Sequence, residues 1–258
     1  IMASVKAKGT TVIDNAAREP EIVDLANMLN EMGARIIGAG TPVVTIEGVE
    51  ELCPVTHRVV GDRIEAGTFI VAGALAAGPA GIEVLGFNPH HLGMVLKKFE
   101  SMGVCIERIE QGVRVQRCER FAPVDIQTLP FPGFPTDMQA QVMVLSALAD
   151  GNSIITENIF ENRFMFASEL VRMGADIRVE GHHAMIHGVK ASPARRLHPP
   201  IFVAVPPWPL PVLSQRAIRR CPLSTISIAD TSGLSTSYAG WAPQWNASPF
   251  PIPLMTNN

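Results

Sequence analysis

The sequence predicts an α/β (α+β) fold built from a unit of helices and strands that recurs along the chain. Met-Gly pairs begin at positions 32, 102 and 173. Apolar residues at helical spacing precede each pair, and alternating apolar residues typical of a half-buried strand follow it. A second pattern of helix end, glycine turn and strand begins near residues 7, 77 and 149. Two patterns that recur together indicate a repeat whose units bury their apolar faces against one another.

The first unit illustrates how each element is predicted. Residues 7–13 (AKGTTVI) end a helix, turn at a glycine and begin a strand. Apolar residues three and four positions apart in residues 22–32 predict an amphipathic helix. Gly33 then stands where a helix C-cap favours left-handed backbone, and two short strands follow, at residues 34–36 and 43–46. The predicted order is therefore helix, strand, helix, strand, strand.

The second and third units follow the same order, with Gly103 and Gly174 at the corresponding helix ends. In the second unit, residues 69–87 are almost wholly apolar and nearly long enough to cross a bilayer. Gly78, Pro79 and Glu83 interrupt this segment, and such residues are costly in a membrane span. We therefore predict a helix, a turn and a strand there.

Composition and charge exclude several classes of function. The chain is 47% hydrophobic and 17% charged with a net charge of -3, which is typical of a soluble globular protein. The first two thirds carry no basic stripe, which argues against a nucleic-acid partner. The four cysteines, Cys53, Cys105, Cys118 and Cys221, have no CxxC spacing, which argues against a metal site or a disulfide framework. Cys105 follows a repeat glycine on a predicted strand and is expected to be buried.

Four segments on predicted loops carry a family resemblance: residues 15–24 (NAAREPEIVD), 61–68 (GDRIEAGT), 134–141 (FPTDMQAQ) and 160–165 (FENRFM). With them, residues 1–189 resemble the enolpyruvyl transferases that act on UDP-N-acetylglucosamine at the start of peptidoglycan synthesis. The segment 134–141 is the most specific, and it disfavours the related enzymes that act on shikimate 3-phosphate.

The resemblance implies two similar domains, each made of three repeats with helices inward and sheets outward, an inside-out α/β barrel. Residues 1–60 are then a remnant of the first domain, and residues 61–189 form an incomplete second domain. The implied substrates are UDP-N-acetylglucosamine and phosphoenolpyruvate, bound in the cleft between the domains. The family further implies a cytoplasmic monomer with no metal, no organic cofactor, no nucleic acid and no membrane partner.

The resemblance also implies roles for individual residues. Asp137 matches the position that the family uses against the sugar 3-hydroxyl, and Arg163 matches an active-site arginine. Ile159 matches a position whose backbone approaches the nucleotide, and Glu161 lies in the same polar loop. From the residues alone, Asp137 could equally be a helix N-cap, Arg163 a surface ion pair and Ile159 a strand core residue.

Four further acidic residues, Glu19, Glu21, Asp62 and Glu65, are candidates for cleft-facing carboxylates. A solvated or structural role for them is equally compatible with the sequence.

The chain departs from the family at both ends. The family's phosphoenolpyruvate lysine and reactive cysteine belong to a segment before Ile1, and none of the cysteines present matches that cysteine. From residue 191 onward lie 12 of the 21 prolines, all three tryptophans and one acidic residue, Asp230, while the repeat stops. Shifting the reading frame restores a family-like sequence for residues 224–243. We therefore expect residues 190–258 to be an irregular out-of-frame tail, with a proline-rich linker as the alternative, and this chain alone to be inactive.

Overall fold

The computed structural model describes residues 1–188 and, beyond them, three two-residue strands, Ala204–Val205, Trp208–Pro209 and Ile228–Ala229. The last of these pairs with a strand of the second unit. Apart from these strands, the expected out-of-frame tail lies outside the described residues.

Each of the three units contains the predicted order of helix, strand, helix, strand, strand. The first comprises α1 (Met2–Val5), β1 (Thr10–Asp14), α2 (Pro20–Glu31), β2 (Arg35–Ile37) and β3 (Val43–Glu47). The second comprises α3 (Arg63–Ala76), β4 (Ile82–Leu85), a 3-10 turn (Pro89–Leu92), α4 (Gly93–Ser101), β5 (Ile106–Ile109) and β6 (Gly112–Val115). The third comprises β7 (Ile126–Gln127), a 3-10 turn (Thr136–Met138), α5 (Gln139–Ala147), β8 (Asn152–Thr156), α6 (Ala167–Arg172), β9 (Asp176–Glu180) and β10 (His183–His187).

The strands of each unit pair with one another in one shared topology. The last strand of the unit lies between the other two and is antiparallel to both, giving the orders β1-β3-β2, β4-β6-β5 and β8-β10-β9. In the third sheet, β7 extends the order by pairing in parallel with β8. This common topology confirms the repeat predicted from the sequence.

The glycines of the Met-Gly pairs end their helices as predicted. Gly33, Gly103 and Gly174 have φ angles of 102°, 92° and 99°, in the left-handed region that favours glycine. In the first unit, the Ala34 amide donates to the Leu29 carbonyl, and the Gly33 amide donates to Asn30. The other two units repeat both bonds, which together make the Schellman motif.

The apolar side chains form two separate clusters. The smaller lies in the first unit and includes Leu29, Val44 and Ile46. The larger extends over the second and third units. Its centre contains α3 and α5, which are buried on most of their faces and are joined by a 2.9 Å hydrogen bond from Gln141 Nε2 to Thr68 Oγ1. Residues 48–62, which contain no regular element, connect the two clusters.

The apolar segment 69–87 divides into the end of α3, a turn and β4, as the sequence predicts. Among the described residues, every helix is too short or too polar to cross a membrane.

The predicted burial of Cys105 is wrong, because its side chain is exposed. Its neighbours Val104 and Ile106 pack against the larger cluster. Since side chains alternate between the two faces of an extended segment, Cys105 must point to the opposite, solvent face.

The connecting segment is attached to α2 through His57, which sequence reasoning did not single out. His57 Nε2 lies 3.1 Å from Asp24 Oδ1, and its Nδ1 lies 3.2 Å from Glu31 Oε2. The hydrogen bonds to Asp24 and then Glu31 raise the pKa of His57 above its ordinary value of 6.5. The protonated ring donates through both nitrogens and therefore bridges the two carboxylates.

We expect His57→Gln to lower the melting temperature more at about pH 5.5 than at about pH 8.5. A histidine whose pKa is higher in the folded state than in the unfolded state stabilises the fold at pH values below its unfolded pKa. This stabilisation is lost as the pH rises through the folded pKa. Differential scanning calorimetry at both pH values measures the effect. The matched control is His182→Gln at an exposed histidine. An equal loss for His57→Gln at both pH values would contradict the charged bridge.

Candidate functional site

A cavity of about 1220 Å³ lies between the first unit and the third. On one side it is lined by α2 and by the end of the connecting segment. On the other side lie the turn before α5 and the loop that follows β8. The lining residues include Glu21, Asp24, Met28, Val60, Gly61, Asp62, Ile64, Thr136, Asp137, Gln139, Phe160, Glu161, Asn162, Arg163, Phe166 and Glu169.

Asp137 lies in the 3-10 turn that leads into α5, and its side chain is 53% exposed. Its carboxylate accepts a 2.5 Å hydrogen bond from Arg163 Nη2. The alternative role of Asp137 as an N-cap is wrong, because Pro135 and Met138 occupy the N-cap positions of the turn and of α5. The carboxylate is therefore free of helix capping and points to the cavity with arginine as its partner.

Arg163 is positioned by the loop that follows β8. Asn162, immediately before it, has left-handed backbone with a φ of 55°, which asparagine tolerates better than most residues. The guanidinium carbon of Arg163 lies 4.9 Å from the centre of the Phe160 ring, a cation–π contact. Arg163 is thus held between an aromatic face and a carboxylate, which fixes the orientation of its planar fork.

The other two predicted site residues occupy the same loop. Glu161 is exposed and lines the cavity, as does its neighbour Phe160. Ile159 is 36% exposed, and its amide donates to a buried carboxylate. The strand-core alternative for Ile159 is wrong, because β8 ends three residues earlier, at Thr156.

Of the four additional acidic residues, Glu21 and Asp62 line the cavity, whereas Glu19 and Glu65 do not. Asp62 caps α3, accepting bonds of 2.8 Å and 3.1 Å from the Ile64 and Glu65 amides, and it also lines the cavity. Glu21 lines the cavity and pairs at 2.9 Å with the buried Arg63. Burial, and then the charge of Asp62, raises the pKa of Glu65.

Glu19 occupies the N-cap position of α2 without a side-chain capping bond.

The charged residues of the described lining are mostly acidic, with six carboxylates and one basic side chain, that of Arg163, while apolar side chains form most of the lining surface. Within the described residues, the histidines, cysteines and carboxylates form no cluster of three or more suited to a metal ion. Carboxylates accept hydrogen bonds from hydroxyl groups, whereas they repel phosphate. The charged part of the lining is therefore suited to the hydroxyl groups of a ligand.

Sequence reasoning missed Glu157, which is 1% exposed beneath the site. A signal for it was present in the alternation of β8. Ser153 and Ile155 are buried, and Glu157 continues the same phase two positions beyond. An acidic residue on the buried phase of a strand requires hydrogen-bond donors, and these come from three separate segments.

Residues 1–198 match the sequence model of a family described as EPSP synthase (3-phosphoshikimate 1-carboxyvinyltransferase). The chain belongs to the EPSP synthase family. The mixed helices and sheets of the chain agree with an incomplete α/β fold of this family. A crystal structure of the enolpyruvyl transferase NikO from Streptomyces tendae is similar, with a TM-score of 0.66 and 27% sequence identity, covering 72% of this chain and 44% of NikO.

Curated relatives of this family member are named UDP-N-acetylglucosamine 1-carboxyvinyltransferase. The protein from Nocardia farcinica is 56% identical over 189 residues, which are 73% of this chain and 44% of the relative. The protein from Geotalea daltonii is 55% identical over 190 residues, which are 74% of this chain and 45% of the relative. The chain thus spans less than half the length of the curated relatives it matches.

Proposed function

We propose that the cavity binds UDP-N-acetylglucosamine and forms part of the site of a UDP-N-acetylglucosamine enolpyruvyl transferase in peptidoglycan synthesis. In this reaction the sugar 3-hydroxyl oxygen bonds to C2 of phosphoenolpyruvate, and the methylene carbon gains a proton. Inorganic phosphate then leaves from C2, the adjacent methyl carbon loses a proton, and enolpyruvyl-UDP-N-acetylglucosamine results. The contact between Asp137 and Arg163 in the cavity lining is the observation that carries the proposal.

Asp137 has the chemistry that the hydroxyl group requires. An ionised carboxylate within hydrogen-bond reach orients a hydroxyl and accepts its proton as the new bond forms. Arg163 keeps the carboxylate in place by a charge-assisted hydrogen bond, and its remaining donors are available to an anionic substrate group. Ile159 and Glu161 then contact the nucleotide and the sugar from the same loop.

The acidic lining supports placing the sugar, and not the diphosphate, against the described residues. Five of the six carboxylates already have a partner within the chain but keep further lone pairs for sugar hydroxyls, while a diphosphate among them would be repelled. We propose that residues 1–60 and 61–189 belong to the two domains on either side of this cleft, in a cytoplasmic monomer without a membrane partner.

Ligand-detected NMR on the purified chain tests the proposal. UDP-N-acetylglucosamine should bind, and saturation transfer should be stronger to the sugar protons than to the uracil protons. Shikimate 3-phosphate, the substrate class of the related enzymes, is the control ligand and should give weaker transfer. Absence of saturation transfer to UDP-N-acetylglucosamine, or a preference for shikimate 3-phosphate, would overturn the assignment.

Arg163→Lys is expected to weaken the binding of UDP-N-acetylglucosamine about tenfold. Lysine keeps the positive charge but loses both the planar fork and the stacking on Phe160. NMR titration measures the dissociation constant. The control is Arg120→Lys, because Arg120 pairs with Asp150 at the same 2.5 Å outside the cavity lining. Equal affinities for Arg163→Lys and the unmodified chain would remove Arg163 from the binding site.

A further inference from the structure

Glu157 carries a buried carboxylate that the proposed reaction does not use directly. It follows β8, its side chain is almost fully enclosed, and its amide donates to the His182 carbonyl at 2.8 Å. Among the described residues, no arginine, lysine or histidine forms an ion pair with it. A buried charge without an opposite charge is costly unless neutral donors satisfy its oxygens.

Five neutral donors satisfy the two oxygens of Glu157. Oε2 accepts from Thr136 Oγ1 at 2.7 Å and from Gln139 Nε2 at 2.5 Å. Oε1 accepts from Thr128 Oγ1 at 2.9 Å and from the Ile159 and Phe160 amides at 2.9 Å and 3.1 Å. Burial on its own raises the pKa of Glu157, but the hydrogen bonds outweigh it, so the pKa lies below its ordinary value.

Four of the five donors come from the segments that carry the two site residues, and the fifth, Thr128, follows β7. Thr136 and Gln139 flank Asp137 in the turn before α5. The Ile159 and Phe160 amides begin the loop that leads to Arg163. One carboxylate therefore connects two segments that lie about twenty positions apart in the sequence, and each oxygen accepts hydrogen bonds from one of them.

We propose that Glu157 is a positioning residue that holds Asp137 and Arg163 at the separation required to bind the nucleotide sugar. This inference rests on the proposed function for its ligand, although the connection itself is a property of the fold. Glutamine at position 157 would place an amide N–H group against donors, so it would disrupt at least one of the two segments.

Two substitutions at Thr136 test the hydrogen bond between Glu157 and the turn before α5, even if Glu157→Gln fails to fold. Thr136→Val removes one donor to Oε2 and keeps the side-chain shape, whereas Thr136→Ser retains the hydroxyl. Thr68→Val is the matched control, because Thr68 Oγ1 accepts a buried hydrogen bond from Gln141 Nε2 between α3 and α5. Thr68 and Gln141 do not line the cavity.

The variants are compared on the full chain by hydrogen–deuterium exchange of residues 157–163 and by NMR titration with UDP-N-acetylglucosamine. Thr136→Val and Glu157→Gln should each speed exchange in the loop of residues 157–163. Binding should weaken about fivefold in Thr136→Val and about twentyfold in Glu157→Gln. Thr136→Ser should keep the exchange rate and the affinity of the unmodified chain. Thr68→Val should leave both unchanged, although its melting temperature falls.

Unchanged exchange in Thr136→Val and Glu157→Gln would overturn the positioning role. Equal effects in Thr68→Val would also overturn it, because they would reflect general destabilisation. If the unmodified chain does not bind UDP-N-acetylglucosamine, the proposed function fails. The exchange measurements still decide whether Glu157 connects the turn to the loop, so the two failures are distinguishable.

Discussion

Asp137→Asn is expected to lower phosphate release from phosphoenolpyruvate by about 10²- to 10⁴-fold, the usual contribution of a general base. Asparagine has nearly the same shape as aspartate, and its carbonyl oxygen still accepts a hydrogen bond from Arg163. It cannot take the proton of the sugar hydroxyl. The variant therefore separates proton transfer from the packing of the site.

The assay uses a chimera in which residues 1–189 replace the matching segment of the Nocardia farcinica relative. The two segments are 56% identical, and the relative supplies the rest of its own length. Phosphate release is measured with and without UDP-N-acetylglucosamine, because only release that depends on the sugar nucleotide reports the transfer.

The matched control is Asp150→Asn, since Asp150 pairs with Arg120 at the same 2.5 Å as Asp137 with Arg163. Asp150 does not line the cavity, so its substitution should leave the rate within about twofold of the unmodified chimera. If Asp137→Asn keeps more than about a tenth of the activity, proton transfer to Asp137 is refuted. An equal loss in Asp150→Asn would assign the effect to stability.

The repeated architecture could be predicted because it is encoded locally. Helical spacing, a left-handed glycine and strand alternation all lie within one unit, and each glycine has the φ angle that its position implied. The expectation failed at Cys105, which was assigned to the core as a small apolar residue although the alternation of Val104 and Ile106 places it on the opposite face. A shift of one residue is enough to move a side chain from the core to solvent.

The contacts between segments could not be predicted in this way. His57 reaches α2 across 26 and 33 positions, and Thr136 reaches Glu157 across 21. No periodic pattern specifies such pairs, since they depend on how whole units pack. The family resemblance led to the expectation that Asp137 and Arg163 share one cleft, whereas their direct contact and the hydrogen bonds that Glu157 accepts from both segments are evident only in three dimensions.

Gly61→Ala is expected to destabilise the chain by about 2–3 kcal/mol, which corresponds to a melting temperature roughly 5–10 °C lower. Gly61 lies in the connecting segment, lines the cavity and immediately precedes Asp62, the N-cap of α3. A Cβ atom there would lie 1.9 Å from the Gly86 carbonyl oxygen and 2.9 Å from its carbon. Both are backbone atoms at the end of β4, so no side-chain rotation relieves the clash.

Calorimetry measures the loss, and Gly93→Ala at the start of α4 is the control, because a Cβ atom there meets nothing within 4 Å. Alanine favours helix over glycine, so this control should be neutral or slightly stabilising. The connecting segment must also move away from β4 in Gly61→Ala, which shifts α2 relative to the turn that carries Asp137. Binding of UDP-N-acetylglucosamine should therefore weaken as well. Unchanged binding despite the lower melting temperature would mean that the first unit makes no necessary contribution to the site.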